Sequence, residues 1–180
     1  VAPAITAITE TYPDRDGDLR QKVRPGDYTS VIDFFLRSGV ADVLSDEEFD
    51  KVAKEWLAKA KHPRWNRPYT DLAYQPMLEV MRLLRANGYK TYIVTGGGQD
   101  FVRQYAEATY GIPPEQIVGS AGETKYGYDK EGKPFLTKEP KMLLNDNNAG
   151  KPEGIHLMIG RQPHIAFGNS TGDQQMLEYT

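Results

Sequence analysis

Thr91-Tyr92-Ile93-Val94-Thr95-Gly96-Gly97-Gly98 is the stretch on which the fold turns. All five residues from Thr91 to Thr95 are β-branched or aromatic, which predicts a short buried strand. Three glycines follow, and a helix is expected from Gln99 to Tyr110. A hydroxyl thus stands at the carboxyl end of a strand, just before a helix N-terminus. In open α/β sheets ligands bind outside those strand ends. The first turn of a helix offers unpaired N–H groups and the positive end of its dipole to an anion. Taken alone, the stretch is no more than a strand-to-helix turn whose glycines serve geometry.

A second stretch has the same form. His164-Ile165-Ala166-Phe167-Gly168 predicts another buried strand, and Asn169-Ser170-Thr171-Gly172-Asp173 follows it. Asn169 and Asp173 carry oxygens suited to a hard cation such as Mg²⁺, although an Asn/Ser/Asp loop also caps helices. Lys151 precedes Asn169 by 18 residues and opens a helix expected over Lys151–Ile159. A lysine there can point at a phosphate, and most such lysines are solvated.

Outward from these stretches the pattern alternates. A helix opens near Thr70 with Met77, Val80, Met81 and Leu84 on one face and closes at Asn87-Gly88. Gln116–Gly119 predicts a short strand. Glu123–Tyr128 and Pro134–Thr137 predict a hairpin about Lys130-Glu131-Gly132. Thr171–Tyr179 is the last helix. Helix, strand, loop and helix in turn predict a parallel α/β sheet. Toward the amino end, Ser45-Asp46-Glu47-Glu48 has the form of a capping box, and Tyr28–Arg37 predicts a further helix. Ala4–Thr9 is a candidate strand. The organisation read from this is an irregular segment over 1–27, a helical cap-like segment over 28–69 and an α/β core over 70–180.

Composition narrows the function. The 180 residues include 39% hydrophobic and 26% charged side chains, ordinary for a soluble globular chain, and the net charge is −3. No general affinity for nucleic acid or an anionic membrane is expected. The absence of cysteine excludes disulfides and thiolate metal sites. No apolar run reaches the length of a membrane span. The lack of cysteine leaves the compartment undecided between cytoplasm and periplasm.

In their order, Thr95 after a strand, then Lys151, then a strand with Gly168-Asn169-x-x-Gly172-Asp173 resemble the later motifs of the haloacid dehalogenase superfamily, most of all its phosphoserine-phosphatase-like members. The resemblance runs from about Ser45 to Thr180. Within it, Ser45–Met77, with HPRWNRPYTDLAYQPM at its end, is similar to the cap and connecting helix of a bacterial branch. It implies a three-layer Rossmann-like core with a parallel sheet, a helical cap segment and a small β-hairpin. It implies that Thr95, with the Gly96 and Gly97 amides, binds phosphoryl oxygens, and that Lys151 neutralises the phosphoryl group and the nucleophile. Asn169 stands where the family has a metal-binding Asp. Asp173 either binds the metal through water or orients Lys151. Thr171 replaces an acid frequent in this branch, which removes one oxygen donor.

The family's chemistry also needs a strand ending in Asp-x-Asp-Gly-Thr. Its first Asp attacks phosphorus to form an aspartyl phosphate, and its second serves as general acid and then base. The near match here is Asp14-Arg15-Asp16-Gly17-Asp18, which makes Asp14 and Asp16 the candidates. Tyr12-Pro13 precedes it instead of an apolar strand, Asp18 replaces the threonine, and Ser45 follows too soon. A charged turn is the plainer reading. Three arrangements stay open: the motif lies in residues outside Val1–Thr180, Ala4–Thr9 substitutes for the central strand, or the chain rearranges and buries the exposed surface in a homodimer.

The expectation is therefore a metal-dependent phosphoester hydrolase acting on a small phosphorylated substrate. Mg²⁺ is the expected cation, with Zn²⁺ or Mn²⁺ as alternatives should Asp14, Asp16, His156 and Asp173 converge. Without the Asp nucleophile, a metal-bound hydroxide would turn over phosphodiesters or triesters. The alternative is an inactive remnant that binds phosphate or a partner protein.

Overall fold

The structure, a computed structural model, describes residues 45–180. The Asp14–Asp16 candidate, the Ala4–Thr9 strand and the Tyr28–Arg37 helix lie outside the described residues.

Helix α1 (Asp46–Lys59) starts where the sequence predicts. Ser45 Oγ accepts the Glu48 amide at 3.2 Å, and Glu48 Oε2 accepts the Ser45 amide at 2.9 Å. Each side chain thus satisfies a backbone donor that the helix leaves unpaired. Phe49 and Ala53 form its buried face, while Trp56 stacks on Tyr69 at 5.4 Å and meets Phe101 edge-on. A 3₁₀ turn (Tyr69–Leu72) leads to α2 (Gln75–Ala86).

Strand β1 (Ile93–Gly98) and β2 (Ile117–Tyr128) are parallel and joined by α3 (Gln99–Tyr110). Ile93 faces Ile117 and Val94 faces Val118 across the ladder. Successive side chains of a strand point to opposite faces, so this register sorts them into two cores. Ile93 and Ile117 join Met81, Val102, Tyr105, Ala106, Tyr110 and Ile112 on one side. Val94 and Val118 join Ile155 and Met176 on the other. Helices therefore cover both faces of the parallel pair, an α/β arrangement consistent with a three-layer Rossmann-like core.

Three expectations change in detail. β1 does not end at Thr95: the glycines stay in the strand and Gly98 pairs with Ser120 after an irregular step. The strand expected at Gln116–Gly119 and the first hairpin strand are one continuous β2, whose far half pairs antiparallel with β3 (Pro134–Leu144). The hairpin turns at Asp129, whose Oδ1 accepts the Glu131 and Lys133 amides, with Gly132 at φ +78°. The third change is larger. His164–Gly168 is not a strand. It runs beside the core, with Ala166 packed on the second cluster and Ile165 45% exposed. Apolar residues become a strand only where a neighbour's amides and carbonyls pair with them, and among the described residues β1 pairs only with β2.

Helix α4 (Gly150–Ile159), a 3₁₀ turn (Thr171–Asp173) and α5 (Gln174–Tyr179) complete the described chain. No helix among the described residues is long and apolar enough to cross a membrane.

One cation ties the hairpin to the helices. Lys138 on β3, 15% exposed, lies 2.8 Å from Asp46 and 2.6 Å from Asp100, with the Phe49 ring 4.7 Å from its nitrogen. Burial works against its charge, but the two carboxylates outweigh burial and raise its pKa. Both acids are more than a third exposed, which screens the pair. Lys138→Ala is expected to lower stability by about 1–2 kcal/mol in urea denaturation. The deficit should shrink as salt is raised; a deficit that ignores salt would contradict the electrostatic account.

Candidate active site

The site forms where the carboxyl end of β1 meets the start of α4 and the 168–173 loop. Its first part is the glycine turn. Thr95 is buried, and its Oγ1 accepts the Gly97 amide at 3.0 Å. That bond leaves the hydroxyl hydrogen free to point at an acceptor, but it engages the Gly97 amide. Of the two amides expected to serve an anion, Gly97's is thus already used inside the turn. The Gly96 carbonyl accepts Ser120 Oγ at 2.9 Å. Gly119 is glycine for space: a Cβ there would come within 2.9 Å of the Gln99 Cα and the Gly97 carbonyl oxygen. Gln99 Oε1 also accepts the Gly119 amide at 3.2 Å, which seats the first residue of α3 against β2.

Lys151 is the second part. The first turn of α4 carries it inward, where it is 3% exposed. Its Nζ donates to the Val94 carbonyl at 2.8 Å and to Asp173 Oδ1 at 3.0 Å. An ammonium has three N–H donors, and the third has no acceptor among the described residues. The solvated lysine of the plainer sequence reading is excluded: this side chain is buried and held beside Thr95.

Asp173 is the third part. It is 1% exposed. Oδ2 accepts the Asn169 and Ser170 amides, both at 3.0 Å, and Ser170 Oγ at 3.1 Å. Burial pushes its pKa up, but the Lys151 ammonium and the two amides outweigh burial and hold it below the ordinary carboxylate value. Both oxygens are therefore engaged by the protein. In this geometry Asp173 holds the Lys151 ammonium. The same geometry does not suit direct ligation of a cation, and among the described residues no three carboxylates, histidines or cysteines gather around a common point.

The structure thus brings Thr95, Gly96, Gly97, Lys151, Asn169 and Asp173 together. It also adds residues the sequence reading missed. Asn145–Ala149 links β3 to α4, and the Asn147 side chain wedges between Gly96 and Gly172. The Asn148 amide donates to the Gly172 carbonyl at 3.2 Å. Asp146 is 0% exposed, and its amide donates to Ser120 Oγ at 3.0 Å. A signal was present: Leu143-Leu144 followed by Asn145-Asp146-Asn147-Asn148 is an apolar strand end with a polar cluster before a helix, the same form as His164–Asp173.

Fold and site together define an α/β protein with a buried ammonium held beside a glycine-rich parallel strand. Residues 21–178 match the model of the haloacid dehalogenase-like hydrolases, and the chain belongs to that family. No curated protein matches the chain. Among solved structures, a conserved functionally unknown protein from Anaerococcus prevotii DSM 20548 is similar, with 21% identity and a TM-score of 0.49. The match covers 78% of this chain and 42% of that protein, so the chain spans less than half of its length.

Proposed function

We propose that the chain hydrolyses phosphoesters, and that Thr95, the Gly96 amide and Lys151 bind the phosphoryl group. The observation that carries this reading is the buried Lys151 ammonium, fixed by the Val94 carbonyl and Asp173 with its third donor unclaimed among the described residues. A buried charge held by protein acceptors on two sides needs little reorganisation when an anion arrives, and such preorganised donors act strongly on charge that develops in a transition state. Thr95 would donate its hydroxyl hydrogen to a phosphoryl oxygen. Asp173 would keep Lys151 in place without leaving its own hydrogen bonds. The likeness to the phosphoserine-phosphatase branch supports a small phosphorylated substrate and rests on the order Thr95, Lys151, Asn169, Asp173.

In this reading Mg²⁺ is the cation, with Zn²⁺ and Mn²⁺ as alternatives, and it takes its carboxylate ligands from outside the described residues. The attacking group also comes from outside them, with Asp14 as the candidate nucleophile and Asp16 as the candidate general acid and base. The test is hydrolysis of a monoester, a diester and a triester with each of the three metals, before and after chelation. Turnover of the monoester that chelator abolishes and Mg²⁺ restores is expected, together with its loss in Asp14→Ala. Turnover confined to diesters or triesters and indifferent to Asp14→Ala would instead favour attack by water. No turnover with any metal would sink the reading.

A further inference from the structure

Asp146 is a buried acid to which the family assignment gives no task. Its carboxyl group is completely shielded from solvent, and neither oxygen has a hydrogen-bond partner among the described residues. It is packed on several sides. A Cβ on Gly154 would come within 2.5 Å of Oδ1 and within 2.9 Å of Val118, so α4 and β2 close over it. Its backbone is tied to the glycine turn through Ser120, whose hydroxyl accepts the Asp146 amide and donates to the Gly96 carbonyl. It cannot move away without disturbing the turn that carries Thr95.

The charged group facing it from α4 is Lys151. From β1 the Thr95 amide faces it, and from β2 the neutral Ser120 hydroxyl lies beside its backbone. Lys151 is already paired with Asp173. One ammonium therefore stands against two buried acids. Burial, only partly offset by Lys151 and the Thr95 amide, raises the pKa of Asp146 to about 7. A dianion entering beside Lys151 would place a third negative group on the same cation. Like charges in one site drive the more weakly stabilised acid to its neutral form. Asp173 has four donors within hydrogen-bond distance, whereas Asp146 has only the facing Thr95 amide, so Asp146 is the acid that yields.

We propose that Asp146 is a positioning residue of the phosphoryl site that takes up one proton when an oxyanion binds beside Lys151. The inference rests on the phosphoryl-binding reading of that site. The balance is simple: carboxylate, one solvent proton and the anion give the carboxylic acid and the bound anion. Linkage then fixes the pH dependence. Below the pKa of Asp146 the proton is already present and affinity is level. Above it, each bound anion must bring a proton, and affinity falls by about tenfold per pH unit.

Sulfate is a suitable probe because it stays a dianion throughout the range. Calorimetric titration of the chain with sulfate, in two buffers of different ionisation enthalpy, counts the protons taken up. Near pH 8 an uptake approaching one proton is expected, with affinity about tenfold weaker at pH 8.5 than at pH 7.5. Asp146→Asn, neutral at every pH, should show no uptake and no slope. No uptake by the unaltered chain at pH 8 overturns the inference without any variant. An Asp146→Asn chain that keeps the slope also overturns it, provided binding still needs Lys151. Sulfate binding that persists in Lys151→Met, or no sulfate binding at any pH, would remove the phosphoryl reading itself and the inference with it.

Discussion

Lys151→Met is expected to lower stability by about 3–5 kcal/mol at pH 8 and to abolish the proposed anion binding and turnover. The size follows from what the ammonium leaves behind. Lys151 is 3% exposed, and methionine keeps most of its volume while removing the charge and the donors. Asp173 Oδ1 and the Val94 carbonyl then lose the group that satisfies them. Removing one partner of a buried ion pair strands the other charge away from water, and that cost is larger than the net worth of the intact pair. The deficit should depend on pH in a known direction. Burial alone pushes the Asp173 pKa up, and Lys151 is the foremost opposing influence. Without it Asp173 titrates higher, so the variant's deficit is smaller at acid pH, where Asp173 is protonated, and grows as pH rises through the new value. Asp146 adds to the same trend, since Lys151 is also the only cation facing it among the described residues. Adding Asp173→Asn to Lys151→Met should recover part of the loss at pH 8. Urea denaturation of the single and double variants at pH 5 and pH 8 measures all of this. A deficit below about 1 kcal/mol that is flat with pH would show that the pair is not buried in solution.

What the sequence disclosed follows the range of the forces involved. The Ser45 capping box is a contact between residues three apart, and both of its hydrogen bonds are present. The helix Gln99–Tyr110 has its expected bounds, closed by Gly111 at φ +66°. Thr95, Lys151, Asn169 and Asp173 were legible only through their order, because each alone reads as an ordinary turn, surface or cap residue. The failures are non-local. His164–Gly168 has strand composition, but a strand is completed by its neighbour, and none of the described residues pairs with it. The persistence of β1 through three glycines reflects pairing with Ser120, a property of another strand. Asp146 reads as a loop residue by its neighbours, and only tertiary packing makes it a fully buried acid. Asp14 and Asp16 lie outside the described residues, so the source of the nucleophile is a matter for the Asp14→Ala assay.

The second large effect is expected at a residue with no chemistry of its own. A Cβ added at Gly150 would overlap the carbonyl oxygen of Asn145. Gly150 is not among the glycines with positive φ, so the requirement is space, not backbone conformation. Neither side can yield alone. The Asn145–Ala149 loop is pinned by the Asp146 amide on Ser120 Oγ, the Asn148 amide on the Gly172 carbonyl, and the Asn147 side chain against Gly96 and Gly172. On the other side, Gly150 is the first residue of α4 and is covalently joined to Lys151. Gly150→Ala must therefore shift either the loop or the helix start, and overpacking of this kind costs about 1–3 kcal/mol, here expected near the upper end. The functional loss should exceed the structural one. Lys151 reaches the Val94 carbonyl and Asp173 at 2.8 and 3.0 Å, and displacing its Cα by even ~1 Å, a shift of the size that costs other sites about a hundredfold in rate, would break one of those bonds. A Gly150→Ala chain that stays folded at 25 °C yet binds sulfate at least tenfold more weakly is the expected result. Gly88→Ala, where an added Cβ meets nothing within 4 Å, is a control for backbone strain alone, since its φ of +82° penalises alanine without touching the site. Equal sulfate affinity in the two variants would mean that the loop yields to Gly150→Ala without moving Lys151.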